Sequence, residues 1–439
     1  MRENYLEDYF SFLRFPSVST DNQFASNVRE CAQWVSEKLA AIGLESKVVP
    51  TAGHPIVWAR NEHRPGSRTV VIYGHYDVQP PDPLELWDSP PFEPVLKEGY
   101  VFARGATDNK GQILSHILGV QETMEQDHEL PVNLHLVIEG EEEIGSANLG
   151  TFLSENREAL KCDVAVVSDT GMIARGTPTL SYGLRGVTAL EIKVTGPKMD
   201  LHSGVFGGAV ANPITALAQL LATLHDRVAG FYDRVKPLEN WEREAWRKLP
   251  VDGDKLVLKE TGVPELFGEA GYNSVERIWA RPTAEINGIG GGYQGKGTKT
   301  VIASHAMAKL TFRLVPEQDG DEILKLAKTH LRKNLPKGVT LEITDGHSGP
   351  WYLTDPHSAI GEAAQRALRE AFNRDAALIR EGGSIPIVSQ FRSILGVETL
   401  LMGLALPDCR AHSPNENFPL ENLEGGIRLN KAILQELAR

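Results

Sequence analysis

The chain has 439 residues, 41% hydrophobic and 23% charged, which suits a folded globular protein and excludes collagen, coiled coil and disorder. Its length suits two domains, with a third possible. Lys and Arg total 45 against 58 Asp and Glu, a formal net charge of -13, so nucleic acid is not an expected partner.

No run approaches the roughly 18 apolar residues of a membrane helix. The opening residues Met1 to Asp8 lack the basic-then-apolar layout of a signal peptide. Cys31, Cys162 and Cys409 are odd in number, far apart and outside any CxxC pair, which points to a reducing compartment without disulfides. The expected location is the cytoplasm, with neither membrane nor nucleic acid as partner.

Along the chain, Val28, Cys31, Trp34, Val35 and Leu39 recur at helical spacing, and Gly43 supplies a C-terminal stop. Short apolar runs at Ile56–Ala59, Val70–Tyr73, Val132–Ile138 and Val164–Val167 predict buried strands, with helical stretches such as Gly111–Met124 between them. This alternation predicts an α/β domain with a mostly parallel sheet and helices on both faces.

The character changes after Tyr182-Gly183-Leu184-Arg185-Gly186. Val187–Val194 reads as a strand and Asn212–Leu224 as a helix. Lys299–Ala303 and Met307–Val315 read as a hairpin, Glu322–Leu335 as an amphipathic helix and Val339–Thr344 as a strand. The order β-α-β-β-α-β is the ferredoxin-like plan. It is interrupted by about 70 residues, Ala229 to Thr298, too long for a plain loop and so expected to hold further elements. A helix at Ala359–Phe372 and a strand at Thr399–Leu406 restore the first character. The expected organisation is a first domain over residues 1–184 and 354–439, interrupted by an inserted α+β lid and dimerisation domain at 185–353.

Polar residues gather just past the predicted strands. Val70–Tyr73 runs into Gly74-His75-Tyr76-Asp77, Val132–Ile138 into Glu139-Gly140-Glu141-Glu142-Glu143, Val164–Ser168 into Asp169, and Thr399–Leu406 into Asp408, Arg410 and His412. Sites in open α/β sheets lie beyond the carboxyl ends of strands, so one shared cluster is natural. Imidazole and carboxylate ligands suit zinc, manganese or cobalt. Adjacent carboxylates project differently, so one of the Glu run can bind metal while its neighbour acts as a base toward water. Asp108 precedes a helix and reads either as a cap or as a carboxylate bridging two metals.

Gly290-Gly291-Gly292-Tyr293-Gln294-Gly295 fits GxGxxG, but a strand-like segment follows where a helix should. There is no HExxH and no GxSxG. Cys409, near His412, reads as a packing residue at a strand end.

Five motifs in order, Gly74–Val78, Gly105–Gly111, Glu142–Ser146, Ser168-Asp169 and Ala411-His412-Ser413, resemble the M20 metallopeptidases over nearly the whole chain. Tyr182–Gly186, Asp200–Gly204, Gly295–Ile302, Phe312–Pro316 and Arg380–Pro386 are most similar to the branch of cytosolic nonspecific dipeptidases and carnosinase-like enzymes. The resemblance implies two divalent ions, zinc first, with His75 and Asp169 on one, Glu143 and His412 on the other, and Asp108 bridging. It implies Asp77 orienting His75, Glu142 as general base and then acid, and a cis bond at Asp108-Asn109. His202 would reach the partner subunit's site in a homodimer and stabilise the oxyanion. Arg313, Gly383 and Ser384 would grip the terminal carboxylate of a small peptide. Glu141 and Ala303-Ser304 depart from that branch. The implied reaction is hydrolysis of a dipeptide amide by a metal-bridging water; the alternative is deacylation of an N-acyl amino acid on the same core.

Overall fold

The computed structural model describes residues 2–225, 228 and 230–439; Met1 and Ala229, where two of the expected segments begin, lie outside them. Its main sheet has nine strands. Eight run in the order Glu45–Val49, Ile56–Arg60, Asn133–Glu139, Thr69–His75, Val164–Val167, Thr399–Leu401, Thr179–Leu184 and Tyr352–Leu353, and Ala377–Glu381 pairs with Thr179–Leu184. The middle is parallel: Thr69–His75 runs beside both Asn133–Glu139 and Val164–Val167, and Val164–Val167 beside Thr399–Leu401.

Every residue of Thr69–His75 and Asn133–Glu139 is buried, as expected of strands covered on both faces. One face packs on the helices Glu3–Leu13, Ala25–Ala41, Gln112–Asp127, Ala359–Phe372 and Leu420–Ala438. The other packs on Leu149–Glu155 and Pro386–Gln390. The α/β fold class is therefore as the alternating pattern predicts.

A second sheet has four antiparallel strands in the order Thr283–Gly291, His305–Leu314, Gly186–Thr195, Thr340–Gly349. Helices Pro213–Ala222 and Gly320–Lys333 cover one of its faces. The chain order is the expected β-α-β-β-α-β.

The expected hairpin is corrected. Val301–Ile302 pairs with Leu201–His202, and the partner of His305–Leu314 is Thr283–Gly291. Gly288, Gly290 and Gly291 hide that strand, and its register slips between Ile286 and Gly288, so cross-strand pairing rather than propensity defines it.

The long interruption holds the helices Asn240–Arg247, Gly253–Thr261 and Ser274–Ala280 as well as that strand. Trp246 and Trp279 meet edge to face at 5.1 Å and pack, with Tyr182, against Ile379 of the main sheet. The strand expected over Thr399–Leu406 is continuous over Thr399–Leu401, and beyond it Ala405 forms an isolated parallel bridge with Gly171. Gly403 lies against the Thr170 backbone, where an added Cβ would fall 2.0 Å from the carbonyl, so two chain segments cross there. Cys31, Cys162 and Cys409 are all free. Among the described residues, no helix is long and apolar enough to cross a membrane.

Candidate metal centre

Three neighbouring parallel strands end together. Register pairs His75 with Glu139, so the turn that follows Glu139 comes up beside the end of Thr69–His75. Val164–Val167, on the other side of Thr69–His75, runs into Ser168 and Asp169. Asp108 arrives in the turn Thr107–Gly111 at the start of the helix Gln112–Asp127, and the peptide Asp108-Asn109 is cis. His412 is delivered by the chain that follows Thr399–Leu401, in a left-handed conformation with φ of 59°.

These residues form two triads sharing Asp108: His75, Asp108 and Asp169, and Asp108, Glu143 and His412. Within each triad the donor atoms lie inside 4.8 Å of one another. His75 Nε2 is 3.2 Å from Asp108 Oδ1 and 3.8 Å from Asp169 Oδ1. His412 Nε2 is 2.9 Å from Asp108 Oδ2 and 3.2 Å from Glu143 Oε2.

Asp77 is buried between two elements. His75 Nδ1 lies 3.1 Å from its backbone carbonyl and 3.3 Å from Oδ1, while its carboxylate accepts the N–H groups of Glu142 at 3.2 Å and Glu143 at 3.1 Å. With only acceptors at Nδ1, a neutral His75 carries its proton there and turns the Nε2 lone pair toward Asp108 and Asp169.

The electrostatics are those of a cation site. Burial would raise Asp108, but hydrogen bonds to His412 and His75 outweigh it and hold the carboxyl well below its usual range. Burial disfavours charge on His75, yet Asp108, Asp169 and Asp77 together raise it. His412 is pushed up to about 10 by Asp108 and Glu143. Burial raises Glu143, with Asp108 adding to it. Glu142 is pushed up to about 9 by burial, and Asp169, Glu143 and Asp108 reinforce this against the pull of His75.

The donors fit divalent metal. His75 Nε2 and Glu143 Oε1 are buried with no hydrogen-bond partner, and nitrogen and carboxylate oxygen suit zinc, manganese or cobalt. Positive charge at the triads would oppose the burial and the carboxylate repulsion that raise Glu142.

Several supporting side chains escape the sequence reading. Glu416, fully buried, accepts from Arg104 Nη1 at 2.7 Å and from the N–H groups of Gly105, Thr107 and Asp108 at 3.0, 2.9 and 3.0 Å. Asn109 donates to Asp169 Oδ1 at 2.9 Å, Gln79 to Glu143 Oε2 at 2.8 Å, and Lys110 Nζ to the carbonyls of Phe12 and Phe15. The signal was nearness: each lies within four residues of a candidate ligand or of Asp77. Glu141 accepts from His54 N and Asn148 Nδ2, so its departure from the branch is a structural tie. Cys409 is buried and its thiol pushed up to about 11, which suits packing rather than nucleophilic attack.

Of the remaining candidates, Arg313 Nη1 donates to Ser384 Oγ at 3.2 Å, joining the second sheet to the loop after Ala377–Glu381. Gly383 is exposed in that loop. His202 is exposed, accepts from Gly204 N at 3.0 Å, and belongs to neither triad.

The model of peptidase family M20/M25/M40 matches residues 71–436. The chain is 32% identical to the Cys-Gly metallodipeptidase DUG1 of Saccharomyces cerevisiae, over 96% of this chain and 93% of that one. It is 32% identical to the human Beta-Ala-His dipeptidase, over 88% and 78%. Among solved structures, the M20 metallo-carboxypeptidase Sso-CP2 from Sulfolobus solfataricus superposes with a TM-score of 0.86 at 31% identity, covering 100% of both chains. The dipeptidase Dug1p from Saccharomyces cerevisiae superposes with 0.82 at 30% identity, covering 99% and 96%. The chain belongs to peptidase family M20/M25/M40 and is an enzyme of that metallopeptidase type.

Proposed function

We propose that the chain is a dinuclear metal-dependent dipeptidase of the cytoplasm that cleaves small peptides bearing a free C-terminal carboxylate. The observation that carries this is the pair of triads sharing Asp108 with Glu142 beside them. His75 and Asp169 would hold one divalent ion, zinc by preference, Glu143 and His412 would hold a second, and Asp108, common to both triads, would serve each. When bound, such ions polarise a carbonyl and acidify water.

The chain's own residues do the rest. Asp77 sets the His75 tautomer. Glu142 accepts a proton from the attacking water and returns it to the leaving amine, because its half-buried carboxyl stands beside the triads but is a member of neither. Arg313, Gly383 and Ser384 form the subsite for the substrate's carboxylate, which a guanidinium suits.

Residues 185–353 act as lid and dimerisation domain on a catalytic domain made of 1–184 and 354–439. His202 serves the partner subunit's site as an oxyanion donor. Its exposure beside Val205 and Phe206, 68% and 41% exposed, supports a role away from its own triads. The relatives named for Cys-Gly and Beta-Ala-His dipeptides support dipeptides over N-acyl amino acids.

The test is product analysis on a mixed panel of dipeptides and N-acyl amino acids at defined metal loading. Dipeptides should turn over, and a chelator should abolish turnover until zinc, manganese or cobalt is restored. Turnover of acyl amino acids alone would transfer the chain to deacylases. Full activity after metal removal would end the metal reading.

A further inference from the structure

The family resemblance implies one guanidinium in the carboxylate subsite, Arg313. The structure puts a second beside it. Arg185 sits between the strands Thr179–Leu184 and Gly186–Thr195, two residues before Val187, the register partner of Arg313. Side chains two apart along extended chain share a face, and long side chains on diagonal neighbours are within reach of each other.

Both arginines converge on the loop that follows Ala377–Glu381. Arg185 Nε donates to the Gly382 carbonyl at 3.0 Å, and its Nη1 to the Arg281 carbonyl at 3.3 Å. Ser384 links the two: its hydroxyl donates to the Arg185 carbonyl and accepts from Arg313 Nη1. A hydroxyl has one proton, so with this one engaged Ser384 orients Arg313 and has no donor for a substrate. Arg185 Nη2 has no acceptor among the described residues and lies 3.0 Å from where a Cβ on Gly382 would stand. A side chain larger than glycine at 382 would therefore press on the guanidinium.

The charge balance is unusual for this neighbourhood. Arg243, Arg281 and Arg380 are each paired with a glutamate, Glu276, Glu269 and Glu242. Neither Arg185 nor Arg313 has a carboxylate oxygen within 4.0 Å among the described residues. Burial, and after it the charge of Arg313, depresses Arg185 to about 10, and Glu285 offsets this only from longer range. Two close guanidinium groups, partnered by carbonyls and a hydroxyl alone, repel each other until an anion lies between them.

We propose that Arg185 is a specificity-determining residue that binds the substrate's C-terminal carboxylate jointly with Arg313. This deepens the peptidase reading above and rests on it for the identity of the anion.

The experiment compares a peptide with its C-terminal amide, on the wild-type metal-loaded enzyme and on Arg185→Gln and Arg185→Lys. Arg185→Gln should raise KM for the free acid about tenfold or more, as expected for loss of one charge-assisted pair, and leave kcat/KM for the amide within about twofold. Arg185→Lys, which keeps the charge and loses the fork, should fall between. Calorimetric binding of a peptide with an N-methylated scissile bond, acid against amide, gives the same comparison without turnover.

Equal losses on acid and amide would show that Arg185 only braces the Gly382 loop, and unchanged acid–amide preference would remove it from the subsite. Should the Gln variant fail to fold, the Lys variant and its acid–amide ratio decide. If the wild type cleaves N-acyl amino acids and no dipeptide, the dipeptidase reading falls while the same comparison on that substrate still judges Arg185.

Discussion

Glu416 accepts the backbone N–H of Asp108 at 3.0 Å, so the segment that carries His412 also holds the residue shared by the two ligand triads. Its carboxylate gathers three backbone donors and the Arg104 guanidinium in a fully buried pocket. Glu416→Gln replaces an acceptor oxygen with an amide donor facing N–H groups and leaves Arg104 buried without its counter-charge. The expected loss is about 3–5 kcal/mol of stability. Metal affinity should fall as well, because Asp108 loses its anchor. Chemical denaturation and metal titration measure both. A loss under about 1 kcal/mol with unchanged metal affinity would mean that the loop holds its shape without this carboxylate.

Glu142 lies outside both triads. Glu142→Gln should therefore keep full metal content, measured by elemental analysis, while kcat falls by about two to four orders of magnitude. A variant that loses metal in proportion to activity would make Glu142 a ligand instead of a base.

Trans action by His202 makes a sharp prediction for mixtures. His202→Ala and Glu142→Gln homodimers should each be nearly inactive. Co-refolded mixtures should recover about a quarter of wild-type activity, because half the dimers are mixed and each holds one site with both groups. Additive residual activities with no recovery would place His202 in its own subunit's site or outside catalysis.

Acid should weaken the fold through His116. Its ring is buried, accepts from Asn430 Nδ2 at 2.9 Å, and faces Ser168 Oγ at 2.8 Å, which in turn donates to the Met402 carbonyl. Burial lowers it from 6.5 to about 4. The unfolded chain then binds the proton more readily than the folded one. The stability linked to this group is complete above pH 6.5 and drains as pH falls toward 4, by roughly 3 kcal/mol in total. Denaturation of the metal-free protein between pH 7.5 and 4.5 should show a shallower decline for His116→Gln. An identical decline would locate the acid sensitivity elsewhere.

Much of the centre was legible because a parallel sheet is a local device. His75, Asp77, Glu142, Glu143 and Asp169 follow strands whose apolar runs announce them, and strands lying side by side bring their ends together. The second sheet was half legible. Thr283–Gly291 has glycines where strand residues were sought, and only its pairing with His305–Leu314 reveals it.

Period, composition and motif order thus establish the fold class, the family resemblance and the candidate ligands, since each depends on residues close in sequence. Glu416 meets Asp108 across 308 positions, and Ser384 meets Arg185 across 199. No periodicity records such meetings: a buried carboxylate or guanidinium takes whichever partner the folded chain brings within hydrogen-bond reach, and that geometry exists only once the sheets are packed.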